Sequence, residues 1–240
     1  MSPLEIWKFF NLKNRDTLSF VGGGGKTTTI FKLAGELKNL NRKVLITTTT
    51  AMYNPKEEQY DYYFLRDIEG FSPKAGTITV LGDRVENGKL LGSSVSTIER
   101  IANRQLFDFI LIEADGSKGK PIKAYAHYEP VIPSCTTMTV GVIGLDCLGK
   151  KIEAIAHRPE KLIRVVDAGL NDIIDEDMIV RLILDEKGLF KDSKGKKVLL
   201  LNKAIDKDLI ARGITIRNIL LKENFQGIVL VGDVIEGKFY

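Results

Sequence analysis

Thr17 to Val21 forms a short apolar run that ends in four glycines. The stretch after them, Thr28 to Leu40, places Ile30, Phe31, Leu33, Ala34 and Leu37 on one face at helical spacing. The pattern predicts a strand, a loop and a helix in that order. Lys43 to Thr48 is a second β-rich run, and Phe107 to Ile112 a third that is apolar almost throughout, as strands covered on both faces are. Such runs imply a mainly parallel central sheet. Between them, Thr77 to Leu81 and Lys89 to Leu91 flank Asn87-Gly88, a pair that accepts positive backbone angles and predicts a hairpin. Ser94 to Gln105 reads as a helix.

The apolar strand pattern returns at Thr139 to Ile143. From Leu145 to Asp185 β signals are few, and two helices are expected, near Glu160 to Val166 and Asp175 to Leu184; this segment, 145–185, is read as a small helical extension or lid. Strands resume at Lys197 to Leu201 and Ile228 to Val231, with a helix from Asp206 to Lys222 between them. At the N-terminus Leu4, Trp7, Phe10 and Leu12 recur at helical spacing, which predicts a short helix packed on the domain. The expected architecture is α/β, one domain over residues 1–240, with helices flanking the sheet.

Composition narrows the function classes. A chain of 240 residues, 44% hydrophobic, can bury a substantial core. Its 35 basic and 31 acidic residues leave a net charge of +4, which gives no reason to expect a nucleic-acid partner. Cys135 and Cys147 lack the spacing of a zinc site or a disulfide framework, which suits a reducing compartment. The N-terminal stretch lacks the apolar core and cleavage site of a signal peptide, and no run approaches the twenty or so apolar residues of a membrane span. The expectation is a cytoplasmic protein without membrane contact.

The glycine run supplies the first chemistry. A bound triphosphate needs inward-pointing donors and positive charge: glycines let backbone N–H groups approach the oxygens, the next helix adds its positive end, and a lysine reaches the outer phosphates. Gly22, Gly23, Gly24, Gly25 and Lys26 meet those needs in a P-loop NTPase-like setting, with the Thr27 hydroxyl placed for Mg²⁺ and the Thr28 hydroxyl for the inner phosphate. The usual pattern has a glycine five positions before Gly25, where this chain has Phe20, so the loop is a short variant. Its Gly-x-x-Gly-Lys-Thr spacing is shared with Mur-type amino-acid ligases. The loop therefore indicates ATP or GTP binding without choosing between hydrolase, ligase and kinase.

A second motif, Phe109 to Gly116, ends an apolar strand in Glu113 and Asp115, at the strand end where open α/β sheets place ligands. A carboxylate one step inside such a strand is costly unless paired or bound to metal. One of the two is expected to hold Mg²⁺ and the other to orient water or substrate, with the order left open. Lys118, Lys120 and Lys123 follow, either as contacts to an anionic substrate or phosphate or as a solvated face. Thr47 to Thr50, at another strand end, can contact metal or phosphate or simply finish the strand. The third motif, Leu199 to Lys203, closes an apolar strand with the Asn202-Lys203 pair that many GTPases place around guanine. Their aspartate two residues beyond the lysine is replaced by Ile205, with Asp206 one place later, so a base of either kind is expected.

Taken together, these motifs resemble the YqeC family, accessory proteins of selenium-dependent molybdenum hydroxylases. The resemblance runs nearly end to end: VGGGGKTT at Val21 to Thr28, ITTTTAM at Ile46 to Met52, IEADGSKGKPIKA at Ile112 to Ala124, EPVIP at Glu129 to Pro133, GLDCLGK at Gly144 to Lys150, HRPE at His157 to Glu160 and LLNK at Leu200 to Lys203. It implies NTP-dependent maturation or supply of a selenium- or molybdenum-containing cofactor, with a molybdenum hydroxylase or a cofactor enzyme as partner. Within HRPE, Pro159 suits a first helical turn. His157 and Arg158 either cover phosphates or an anionic substrate, or serve as a helix cap and as a surface partner of Glu160. Cys147 is read as structural.

Overall fold

The structure, a computed structural model, describes residues 5–240. Helix α1 (Ile6–Phe9) leads to β1 (Asp16–Gly22), the glycine loop and α2 (Lys26–Asn39). Next come β2 (Lys43–Thr48), β3 (Ala51–Tyr53), β4 (Tyr62–Leu65), β5 (Thr77–Gly82), β6 (Val85–Glu86), β7 (Lys89–Leu91), α3 (Val95–Asn103), β8 (Phe109–Glu113) and β9 (Ile122–Lys123). The chain continues through β10 (Met138–Gly144), α4 (Ile152–Ile155), β11 (Ala156–His157), α5 (Pro159–Val166), α6 (Glu176–Leu184), β12 (Lys196–Asn202), α7 (Lys207–Lys222), β13 (Ile228–Asp233) and β14 (Lys238–Phe239).

Nine strands form one sheet in the order β14-β13-β12-β10-β1-β8-β2-β5-β4, parallel except for β14. This is the mainly parallel, helix-flanked α/β sheet expected, and its order is consistent with a P-loop NTPase-like fold. Period-two alternation divides each strand between two cores. Leu18, Phe20, Val44, Ile46, Leu111, Val140, Val142, Val198 and Leu200 face one side. There Ile30, Leu33, Ala34 and Leu37, at i, i+3, i+4 and i+7 of α2, cover them. On the other side Leu45, Ile110 and Ile112 meet Ile98 and Ile101 of α3. Val21, Ile143, Leu199 and Leu201 share a cluster with Leu162, Ile179, Ile183 and Ile216. The helices of the 145–185 segment are thus continuous with the sheet's own core. At roughly 1.5–3 kcal/mol for each fully buried large apolar side chain, these two faces supply the main favourable term in folding.

Some expectations are corrected. Asn87-Gly88 does turn a hairpin, but its arms are β6 and β7; Thr77 to Leu81 instead pairs in parallel with β2 inside the central sheet. β7 also pairs antiparallel with β3, giving a small separate sheet. Helix α2 begins at Lys26 rather than Thr28, because Gly25, at φ 120°, turns the chain directly into its first turn. The N-terminal helix covers Ile6–Phe9, with Ile6 and Phe10 fully buried and the Trp7 amide donating to Glu36 Oε2 at 3.1 Å. Leu4 lies outside the described residues. No helix among the described residues is long and apolar enough to cross a membrane.

The topology fixes where a ligand can sit. β1 is flanked by β8 on one side and β10 on the other, in register Phe20 with Glu113 and Gly22 with Val142. From β1 the chain runs to β2 on one side, and after β8 it crosses β1 to β10 on the other, a reversal of direction that opens a crevice beyond the strand C-termini. Glu113 also stands opposite Thr48, and Gly144 opposite Asn202, so the ends of β2, β8, β1, β10 and β12 meet at one rim.

Candidate functional site

At that rim lies a cleft of about 520 Å³. Its walls include Gly24 to Thr28, Thr50 to Tyr53, Glu113, Gly116 to Gly119, His157, Arg158 and Lys203. The glycine loop is held from both sides. The Gly23 amide donates to the Val142 carbonyl at 2.9 Å and the Gly24 amide to the Lys120 carbonyl at 3.1 Å. These two amides therefore shape the loop. Among the described residues no backbone carbonyl takes the amides of Gly25, Lys26, Thr27 or Thr28, as the first turn of a helix requires. Those four are the donors available to an anion, backed by the positive end of α2. Gly24 has φ 77° and a Cβ there would strike the Gly144 backbone, so no other residue fits.

The two carboxylates separate into different environments. Glu113 faces the cleft, and its Oε2 accepts a 2.6 Å hydrogen bond from the Thr27 hydroxyl. Burial pushes its carboxyl above the usual range, while the Lys26 charge and the Thr27 hydroxyl pull the other way. Asp115 is fully buried behind the loop. Its Oδ2 accepts from the Gly22 amide at 2.8 Å, and the Lys26 ammonium lies 2.9 Å from Oδ1, in ion-pair contact but off the direction of a hydrogen bond. Lys26 donates to the Gly22 carbonyl at 2.7 Å. Burial alone would lower its pKa, but the charges of Asp115 and Glu113 outweigh burial and hold it above the ordinary value.

Lys123 belongs to the same charged group rather than to a solvated face. Its side chain is completely buried, 3.0 Å from Glu129 Oε2 and 3.7 Å from Asp115 Oδ2. Glu129 in turn takes a two-pronged pair from Arg158, at 2.5 and 3.1 Å. An alternating row of charges thus links Lys26, Asp115, Lys123, Glu129 and Arg158. In the sequence Glu129 carries a single signal, a carboxylate heading the otherwise apolar EPVIP run, and its partners come from the fold. Lys89, Tyr53 and Thr50 also reach the cleft.

Of the other candidates, Lys118 lines the cleft, whereas the Lys120 ammonium turns to the Ala154 carbonyl at 2.8 Å. Thr48 and Thr49 use their hydroxyls on the carbonyls of Glu113 and Val131. Asn202 clamps the loop: its Nδ2 donates to the Gly24 carbonyl at 2.8 Å and its Oδ1 accepts from the Val234 amide at 3.1 Å. Lys203 lines the cleft and pairs with Asp146 at 2.8 Å. Asp206 caps α7, accepting from the Leu209 amide, and Ile205 is exposed. Arg158, not His157, stands at the N-cap of α5, with φ 60°, and its partner is Glu129 rather than Glu160. Cys147 is buried, which pushes its thiol far up and leaves it unreactive.

His157 sits beside Lys123 in the β9–β11 pair and lines the cleft. Burial first, then the charges of Arg158 and Lys123, depress its pKa to about 4, with Glu129 opposing. Because the folded value lies below the ordinary 6.5, its contribution to stability is complete above pH 6.5 and is lost as the pH falls toward 4. The expected result is an imidazole that stays neutral through pH 5 and titrates near 4 in an NMR pH series; a midpoint near 6.5 would show that the ring does not feel these cations.

The donor set fits a hard cation. Thr27 and Glu113 offer oxygens beside the free amides, the arrangement in which Mg²⁺ is held by one or two protein oxygens, phosphates and water. No cluster of three or more His, Cys, Asp or Glu side chains suited to a metal occurs among the described residues.

Comparison with known proteins covers most of this framework. The family model described as YqeC protein matches residues 18–160, which include the glycine loop, the Glu113 strand, Glu129 and His157 to Glu160. The uncharacterized protein YqeC of Escherichia coli (strain K12) is 33% identical over 186 residues, spanning 75% of this chain and 72% of its own. The chain belongs to the YqeC family.

Proposed function

We propose that the protein binds a nucleoside triphosphate with Mg²⁺ in this cleft and cleaves its terminal phosphate. The observation that carries the reading is the convergence of four unpaired amides at the head of α2, the Lys26 ammonium, and the Thr27–Glu113 pair at one rim of the sheet. The amides and Lys26 bind and orient the phosphates, as phosphoryl transfer depends mainly on positioning and charge. Thr27 and Glu113 would hold Mg²⁺, which supplies neutralisation of the phosphate charge. Asp115 holds the loop and Lys26 in place from behind. The resemblance to accessory proteins of selenium-dependent molybdenum hydroxylases extends the proposal: the nucleotide cycle serves maturation of such a hydroxylase or of its cofactor in the cytoplasm.

The base is expected to be read weakly. A guanine-selective pocket needs a carboxylate that accepts from the ring N–H and the exocyclic amine, and sites built on such bonds reject analogues strongly. Ile205 cannot accept, and Asp206 is engaged as a helix cap. ATP and GTP should therefore bind within about tenfold of each other, roughly 1.4 kcal/mol, and both should lose affinity when Mg²⁺ is chelated. Competition binding measures both effects. A preference of a hundredfold for GTP would show that Asp206 leaves its cap, and binding indifferent to Mg²⁺ would remove Thr27 and Glu113 from the site.

A further inference from the structure

The sheet order arranges the cleft-lining groups in a row. Lys203 follows β12, the glycine loop follows β1, Glu113 ends β8 and the Gly116 to Gly119 loop follows it, and Thr50 to Tyr53 follow β2. A triphosphate whose base lies toward Asn202 and Lys203, and whose outer phosphates meet Lys26 and Glu113, covers the β12-to-β8 part of this row. The part beyond β8 is a continuation of the same cleft with its own chemistry.

That continuation is cationic. Lys89 is exposed along it, Lys118 is exposed at its β8 border, and Arg158, on the lining of the same cleft, is anchored by Glu129 and the Ala124 carbonyl. Glu129 is the carboxylate on this wall, and it is fully engaged by Lys123 and Arg158. Anchoring matters: an arginine held on both prongs loses little further freedom when it meets a ligand. The Thr50 hydroxyl oxygen is buried without a hydrogen-bond partner, beside the cleft. His157 adds an uncharged ring. The Tyr53 ring, 65% exposed, lies 6.0 Å from the Lys89 ammonium and gives the end of the cleft an apolar plate.

We infer that this part of the cleft is a second binding subsite, for a small oxyanion-bearing molecule, a carboxylate or phosphate ester, held next to the terminal phosphate by Lys118, Arg158, Lys89 and Thr50. The inference rests on the nucleotide reading above, since it assigns only the space that the triphosphate leaves. An oxyanion there meets positive charge, and rotation of the Thr50 side chain brings it the unpartnered hydroxyl, while Tyr53 covers an attached apolar or planar group. A solvated lysine face would show none of this backing: Arg158 and Lys123 are buried or anchored, and they are tied to the loop lysine through Asp115.

Inorganic phosphate is a suitable probe. The full chain is saturated with Mg²⁺ and β,γ-imido-ATP, so that phosphate cannot enter the glycine loop, and lysine acylation is followed by mass spectrometry with and without millimolar phosphate. Labelling of Lys118 and Lys89 should slow by about threefold or more relative to the remote, exposed Lys222, the factor mass action gives at two-thirds occupancy. Bound nucleotide with no phosphate protection overturns the second subsite and leaves the nucleotide reading standing. Protection that disappears on nucleotide loading also overturns it, because the phosphate was then in the loop. Failure of the nucleotide itself to bind overturns both.

Discussion

Asp115→Asn is expected to cost about 3–5 kcal/mol of folding stability, the range for removing one partner of a buried ion pair. The side chain keeps its shape and can still accept from the Gly22 amide. What disappears is the charge between two buried ammonium groups, 2.9 Å from Lys26 and 3.7 Å from Lys123. Lys123 retains Glu129, but Lys26 is left with a backbone carbonyl and the more distant Glu113. Urea denaturation of wild type and variant measures the loss. Adding Lys26→Met to Asp115→Asn should recover part of it by removing the stranded charge. A change below about 1 kcal/mol would mean that water or a rearranged loop already screens the pair, and that Asp115 does not brace the site.

Local patterns carry much of the fold. The strand, glycine loop and α2 are legible because three local signals agree: an apolar run, residues that tolerate positive φ, and a 3.6-residue apolar period. The helix before Lys222, Lys43–Thr48 and Lys89–Leu91 are legible from local pattern in the same way, the helix starting one residue later than read because Asp206 is its N-cap. What fails is anything decided by distant partners. Asn87-Gly88 marks a turn, but nothing local says that its first arm is Val85–Glu86 instead of Thr77 to Leu81. Tyr62–Leu65 is a run of four aromatic and apolar residues, but it is only four long and without alternation, and its place as a half-exposed edge strand is decided by pairing with distant Thr79 to Gly82. The β9–β11 pair is two residues long and joins segments more than thirty residues apart, with Ile122 and Ala156 in one buried cluster.

The site divides along the same line. Glycines, Lys26, Thr27 and Glu113 can be read because phosphate and Mg²⁺ chemistry demand those types at short spacing. Separate roles for Glu113 and Asp115 emerge only from where the strand stops: Glu113 ends β8 and faces the cleft, whereas the chain has left the strand by Asp115, which turns behind the loop. Lys118, Lys120 and Lys123 look alike in sequence yet have three fates: a cleft wall, a backbone carbonyl and a buried ion pair. The partners that decide this, Ala154 and Glu129, lie 34 and 6 residues away and carry no shared pattern.

The central claim is that the loop binds a Mg²⁺-triphosphate through Lys26, and the direct measurement is an equilibrium titration of wild type and Lys26→Ala with β,γ-imido-ATP and Mg²⁺. Alanine removes the only side-chain cation of the glycine loop while leaving the backbone amides of Gly25 to Thr28 in place. Asp115 keeps the Gly22 amide and Lys123, so the variant should fold, with reduced stability, and circular dichroism checks that it does. Affinity should fall by about a hundredfold or more, roughly 2.7 kcal/mol, because the outer phosphates lose their protein counter-charge in a site that excludes much of the solvent. Wild-type affinity in a folded Lys26→Ala protein would contradict the account.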